Sequence, residues 1–73
     1  MARGWVHTVY KEPLWVNEVE GGEILSRHGT KEAAIAAGRE AAIERRTEHV
    51  IHNMDGRVAG RNSYGGDPFP PPG

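Results

Sequence analysis

One segment of this chain, Lys31 to about Arg46, can form a substantial helix, and its apolar stripe is built largely from small residues. At 3.6 residues per turn Ala34, Ile35, Gly38, Ala41 and Ala42 share one face, while Ala33, Ala37, Glu40 and Glu44 share the opposite one. Glycine in a helix interior costs about 1 kcal/mol relative to alanine. Gly38 is therefore expected where a second layer approaches too closely for a side chain, and the helix has to lie tightly against a sheet. Thr30 precedes it as an N-cap, Glu32 suits the positive end of the helix dipole, and Arg45 and Arg46 suit the negative end.

The sheet comes from both sides of the helix. Trp5 to Tyr10 is β-branched or aromatic at nearly every position and reads as a first strand. Lys11-Glu12-Pro13 interrupts it, and Leu14 to Val19 resumes with Leu14 and Val16 on one face and Trp15 and Val19 on the other. Gly21-Gly22 marks a hairpin, after which Glu23 to Arg27 forms a third strand ending near His28. Beyond the helix, His49 to His52 is a strand, Asn53-Met54-Asp55-Gly56 a turn, and Arg57 to Tyr64 the returning strand. The expected fold is α+β in the order β-β-β-α-β-β, a small antiparallel sheet with one helix packed on one face. Residues 1–64 make the domain, and 65–73 form a Gly/Pro-rich C-terminal tail that favours polyproline conformation. The expected core is Val6, Trp15, Ile24, Ile35, Ala42, Val50, Ile51 and Val58. Both faces of the first strand are apolar enough to be buried, which points to an interface.

A chain of 73 residues has room for one core. The absence of cysteine removes disulfides, thiolate metal sites and thiol nucleophiles together. A small domain without such staples gains by pairing, so a homodimer is expected. No apolar run reaches signal-peptide or membrane-span length, which makes the cytoplasm the expected location and a membrane partner unexpected. The net charge of −1 gives no global attraction to nucleic acid, although residues 25–46 carry five basic and three acidic groups.

A set of residues in fixed order has a familiar pattern: Trp15 and Val16, Gly21, Ser26-Arg27-His28-x-Thr30-Lys31-x-x-Ala34-Ile35, Val50-Ile51-His52, Asp55-Gly56-Arg57, and Asn62-Ser63-Tyr64-Gly65-x-Asp67-Pro68-x-Pro70. In these positions the chain resembles a bacterial domain-of-unknown-function family, number two-one-eight-eight. Leu14 stands where that family's pattern has glycine. The resemblance implies a small α+β fold and carries no assigned reaction, cofactor or partner. It also implies that the ending is more than a random linker, so Tyr64 and Phe69 are expected to dock on the domain or on a dimer partner.

Candidate chemistry is sparse. Arg27-His28-Gly29 resembles the start of the histidine phosphatase signature, but that chemistry needs a large α/β scaffold with further Arg and His residues. The tripeptide reads better as a strand-to-helix turn. Among the four histidines, His49 and His52 lie three apart on a strand and point to opposite faces, so they cannot chelate together. A metal site assembled across strands from His7 and His49 or His52 is the alternative to ordinary half-buried sheet histidines, and no metal and no cofactor is expected. Ser26 and Ser63 lack any visible His-and-acid arrangement, and neither paired carboxylates nor a phosphate loop occurs. An enzyme is not expected.

Two binding readings are left. The favoured one is an interaction module for itself or another protein, with Trp5, Tyr10, Trp15, Tyr64, Pro68, Phe69, Pro70 and Pro71 as its surface; the prolines fit a P-x-x-P pattern. The alternative is nucleic-acid binding by Arg27, Lys31, Arg39, Arg45, Arg46, Arg57 and Arg61, with Trp5, Tyr10 or Trp15 stacking on bases.

Overall fold

The computed structural model describes residues 4–65. Along the chain it forms β1 (Val6–Lys11), β2 (Leu14–Val19), β3 (Ile24–His28), α1 (Lys31–Arg45), β4 (Glu48–His52) and β5 (Val58–Ser63). All five strands join one sheet in the order β3-β2-β1-β4-β5. Gly21 and Gly22 take φ values of +104° and +107°, the left-handed conformation that a tight turn between twisted strands requires and that glycine adopts at no steric cost. The Thr30 side chain accepts a hydrogen bond from the Ala33 N–H and caps α1 as its position in the sequence suggests.

The sheet is mixed rather than antiparallel. β1 pairs with β2 antiparallel but with β4 parallel, in the register Val6↔His49, His7↔Val50 and Thr8↔Ile51. The reason lies in the crossover. β3 runs with β1, α1 carries the chain back across the sheet, and β4 must then set off in the direction of β1. β1 is therefore the central strand. Its Val6 and Thr8 face lies under α1, while His7 and Val9 belong to the face that α1 does not cover.

Strand alternation and the cross-strand registers put Val6, Thr8, Trp15, Asn17, Val19, Ser26, His28 and His49 on the side covered by α1. His7, Val9, Val16, Arg27, Val50, His52 and Arg61 lie on the other side. Of the expected core, Val6, Trp15, Ala42 and Val50 are buried, while Ile35 and Ile51 are half-buried. Ile24 and Val58 are instead 38% and 61% exposed. They stand on β3 and β5, the two edges of the sheet, where apolar character does not bring burial. Val16, Val19 and Ala34 complete the apolar core. No helix among the described residues is long and apolar enough to cross a membrane.

α1 buries Ala34, Gly38 and Ala42, a stripe with i, i+4 spacing. A Cβ on Gly38 would collide with Asn17 Oδ1 and would lie 2.6 Å from His49 Nε2 and 2.7 Å from Thr8 Oγ1. The glycine is thus required by close approach. Gly38→Ala, which would stabilise an ordinary helix position by about 1 kcal/mol, is expected to destabilise this protein by about 1–3 kcal/mol. The urea midpoint measures this, and a gain in stability would show that the helix does not rest on Thr8 and His49.

Candidate functional site

Two groups of polar side chains lie on opposite faces of the sheet. The first is buried beneath α1. Thr8 and Asn17 face each other across β1 and β2, and both are completely inaccessible to solvent, as is His49 on β4. Asn17 Nδ2 donates to the Ala34 carbonyl at 2.8 Å and to Ser26 Oγ at 3.2 Å. Because a carbonyl can only accept, the Ala34 contact fixes which way the Asn17 amide points. Asn17 Oδ1 then accepts the Thr8 hydroxyl proton across 2.5 Å.

With that proton committed, the 2.7 Å contact between Thr8 Oγ1 and His49 Nε2 has the imidazole N–H as its donor. The hydrogen bonds run in one direction, His49 to Thr8 to Asn17 to Ser26, across all four strands that α1 covers. Ser26 Oγ lies 2.9 Å from His28 Nε2 at the border of this row. His49 Nδ1 is left as a bare, buried nitrogen with no hydrogen-bond partner among the described residues. Burial, and then repulsion from the His7 imidazole, hold the His49 pKa below its ordinary value of 6.5.

The second group lies on the face away from α1. His7 on β1 and His52 on β4 are stacked with ring centroids 5.2 Å apart and planes inclined by 30°. His7 Nδ1 is 3.0 Å from His52 Nε2. His52 Nδ1 donates to the Gly56 carbonyl at 3.1 Å, and His7 Nε2 faces Glu20 Oε2 at 3.6 Å. His49 and His52 do lie on opposite faces. The histidine that meets His7 is His52, two residues beyond its register partner Val50 and on the same face of the parallel β1–β4 pair.

The other candidate residues are spread around the domain. Arg27 and Arg61 stand on β3 and β5, four strand spacings apart, or roughly 19 Å. Lys31 lies 5.4 Å above the Trp15 ring and bonds Asn53 Oδ1, and Arg39 is exposed on α1. Arg45 and Arg46 end the helix. Arg57 is 3.8 Å from Asp55, while Arg61 is 3.5 Å from Glu48 and 5.5 Å from the centre of the Trp5 ring. Arg27 and Arg61 thus lie on the sheet face away from α1, and Lys31, Arg39, Arg45 and Arg46 on the helix or at its end. Trp15 is 7% exposed, packs against Tyr10, and is core rather than interaction surface. Trp5, Tyr10 and Tyr64 are half-buried, and Pro68, Phe69, Pro70 and Pro71 lie outside the described residues. Sequence reasoning passed over Thr8 and Asn17, and weighed Ser26 only as a nucleophile. The available signal was Asn17 itself, a polar residue at an inward position between Trp15 and Val19.

The pattern of an uncharacterized bacterial family matches residues 6–64, from the start of β1 to just past β5. The chain belongs to that family, DUF2188. No curated protein and no solved structure matches it. The DUF2188 match takes in both histidine groups and every described strand and helix. Among the described residues no three His, Cys, Asp or Glu side chains gather as a metal-ligand set.

The buried row makes two predictions. Thr8→Val keeps the shape but strands the His49 N–H and Asn17 Oδ1, each worth about 1–3 kcal/mol when left unpaired. A loss of about 2 kcal/mol or more is expected in urea denaturation, whereas Thr8→Ser, which keeps the hydroxyl, loses less. The second concerns acid. A histidine with a folded pKa below its unfolded value binds fewer protons folded than unfolded, so its contribution to stability is complete above about pH 6.5 and declines as the pH falls through that value. Imidazole NMR should find His49 neutral at pH 6.5; a ring already half-protonated there would contradict the burial argument.

Proposed function

We infer that this DUF2188 domain is a non-enzymatic interaction module that self-associates through its β5 edge. The observation that carries this reading is the reach of the helix: α1 packs on β1, β2, β3 and β4 but not on β5. β5 has a neighbour on one side only and is exposed at all its positions except Gly60. An edge strand of this kind presents a row of unpaired N–H and C=O groups, a template for another strand. Val58, at 61% exposure, and Met54, at 64%, add apolar surface at its beginning. β3, the other edge, is covered by α1.

Antiparallel pairing of two β5 strands about a two-fold axis normal to the sheet would make one continuous ten-stranded sheet with both helices on the same face. A short chain without covalent staples gains stability from such pairing. The non-enzymatic part of the reading rests on the sequence, where no serine–histidine–acid arrangement, phosphate loop or carboxylate pair is visible. The stacking of Arg61 on Trp5 favours a second reading, in which the pair contacts single-stranded nucleic acid.

Sedimentation of the full chain over a range of concentrations separates them. Self-association should persist at high salt, and Val58→Lys, which changes an exposed side chain and leaves the core alone, should give a folded monomer whose thermal stability is lower and no longer depends on concentration. A monomer at all concentrations overturns the first reading. Oligonucleotide binding that fades with salt and requires Arg61 would support the second.

A further inference from the structure

We propose that His7 and His52 form a two-histidine site for a divalent late transition-metal ion, held by His7 Nδ1 and His52 Nε2. The two nitrogens are 3.0 Å apart on neighbouring strands of the face that α1 leaves open. With metal–nitrogen bonds of about 2.0–2.1 Å, two nitrogens on one ion are separated by about 2.9 Å at a right angle and about 3.4 Å at the tetrahedral angle. The observed spacing falls between the two. Imidazole suits zinc, nickel and copper, and water molecules fill the remaining positions on the ion.

The distal nitrogens strengthen the assignment. A metal-bound histidine ordinarily donates its other ring N–H to a backbone carbonyl or a carboxylate, which sets the tautomer and the orientation of the ring. His52 Nδ1 already donates to the Gly56 carbonyl at 3.1 Å, which makes Nε2 the nitrogen with the lone pair, accepting from His7 Nδ1 until an ion takes its place. His7 Nε2 faces the Glu20 carboxylate at 3.6 Å. Without metal, the neutral His7 ring keeps its proton on Nδ1 and gives it to His52 Nε2. On binding, that proton moves to Nε2 under the pull of Glu20, Nδ1 becomes a ligand, and the neutral pair releases no proton. Glu20 is therefore a positioning residue. His28 and His49 take no part: His49 is wholly buried beneath α1 and His28 is bonded to Ser26.

The experiment is a zinc titration of the full, tag-free chain followed by imidazole nitrogen NMR and calorimetry. One ion per chain is expected, with the His7 and His52 rings shifting together and His7 changing tautomer. His7→Gln and His52→Gln should each weaken binding by about tenfold or more, Glu20→Gln should weaken it without changing the metal-free His7 tautomer, which His52 sets, and His28→Gln should leave it unchanged. Shifts confined to His28, or binding that survives His52→Gln, would overturn the site. The ring signals of the wild-type chain decide the question even if a variant fails to fold.

Discussion

The contact on which the rest of the structure depends is the one between Gly38 and the hydrogen-bonded row of Thr8, Asn17 and His49. A row of polar groups in the centre of so small a core is stable only when every donor and acceptor in it has a partner or is shielded at little cost. Here one hydrogen-bond direction runs through β4, β1, β2 and β3, and the carbonyl of Ala34 ties that row to the helix above. Strand register, amide orientation and helix depth are thereby set together. A slip of one residue in β1 or β2 would turn Thr8 or Asn17 to the outer face and leave the others unpaired in the interior.

The two faces of the sheet put the same side chain to different uses. His49 and His52 are three residues apart on one strand, and alternation sends the first into the core and the second to the open side. Beneath the helix, His49 is a neutral donor whose second nitrogen has no partner among the described residues. On the open side, His52 faces His7 and both rings have a distal nitrogen directed at an acceptor. The small stripe of α1 is what allows the covered side to be this tight, while the same narrow helix stops short of β5.

Much of this was legible in the residues because it is local. The strand breaks at Pro13 and at Gly21-Gly22, the cap at Thr30 and the small face around Gly38 each depend on neighbours a few positions away. What escaped is non-local. An antiparallel meander and a separate hairpin are the simplest reading of β-rich segments around one helix, and nothing within His49-Val50-Ile51-His52 says that it will lie parallel to β1. Ile24 and Val58 were expected in the core on their chemistry, yet edge position left both at the surface. Asn17 was assigned to its strand, but its burial depends on Ser26, Thr8 and Ala34 meeting it from three other elements.

By itself, then, the sequence determined the element order, the turns, the capped helix and the need for a sheet close beneath Gly38, because backbone preference and side-chain periodicity act over one or two turns of chain. Only the tertiary structure decided that β1 is central, that His7 meets His52, and that β5 extends past the helix. Those outcomes follow from the crossover of α1, which pairs residues about forty-five positions apart and so is governed by packing and loop closure rather than by any local signal.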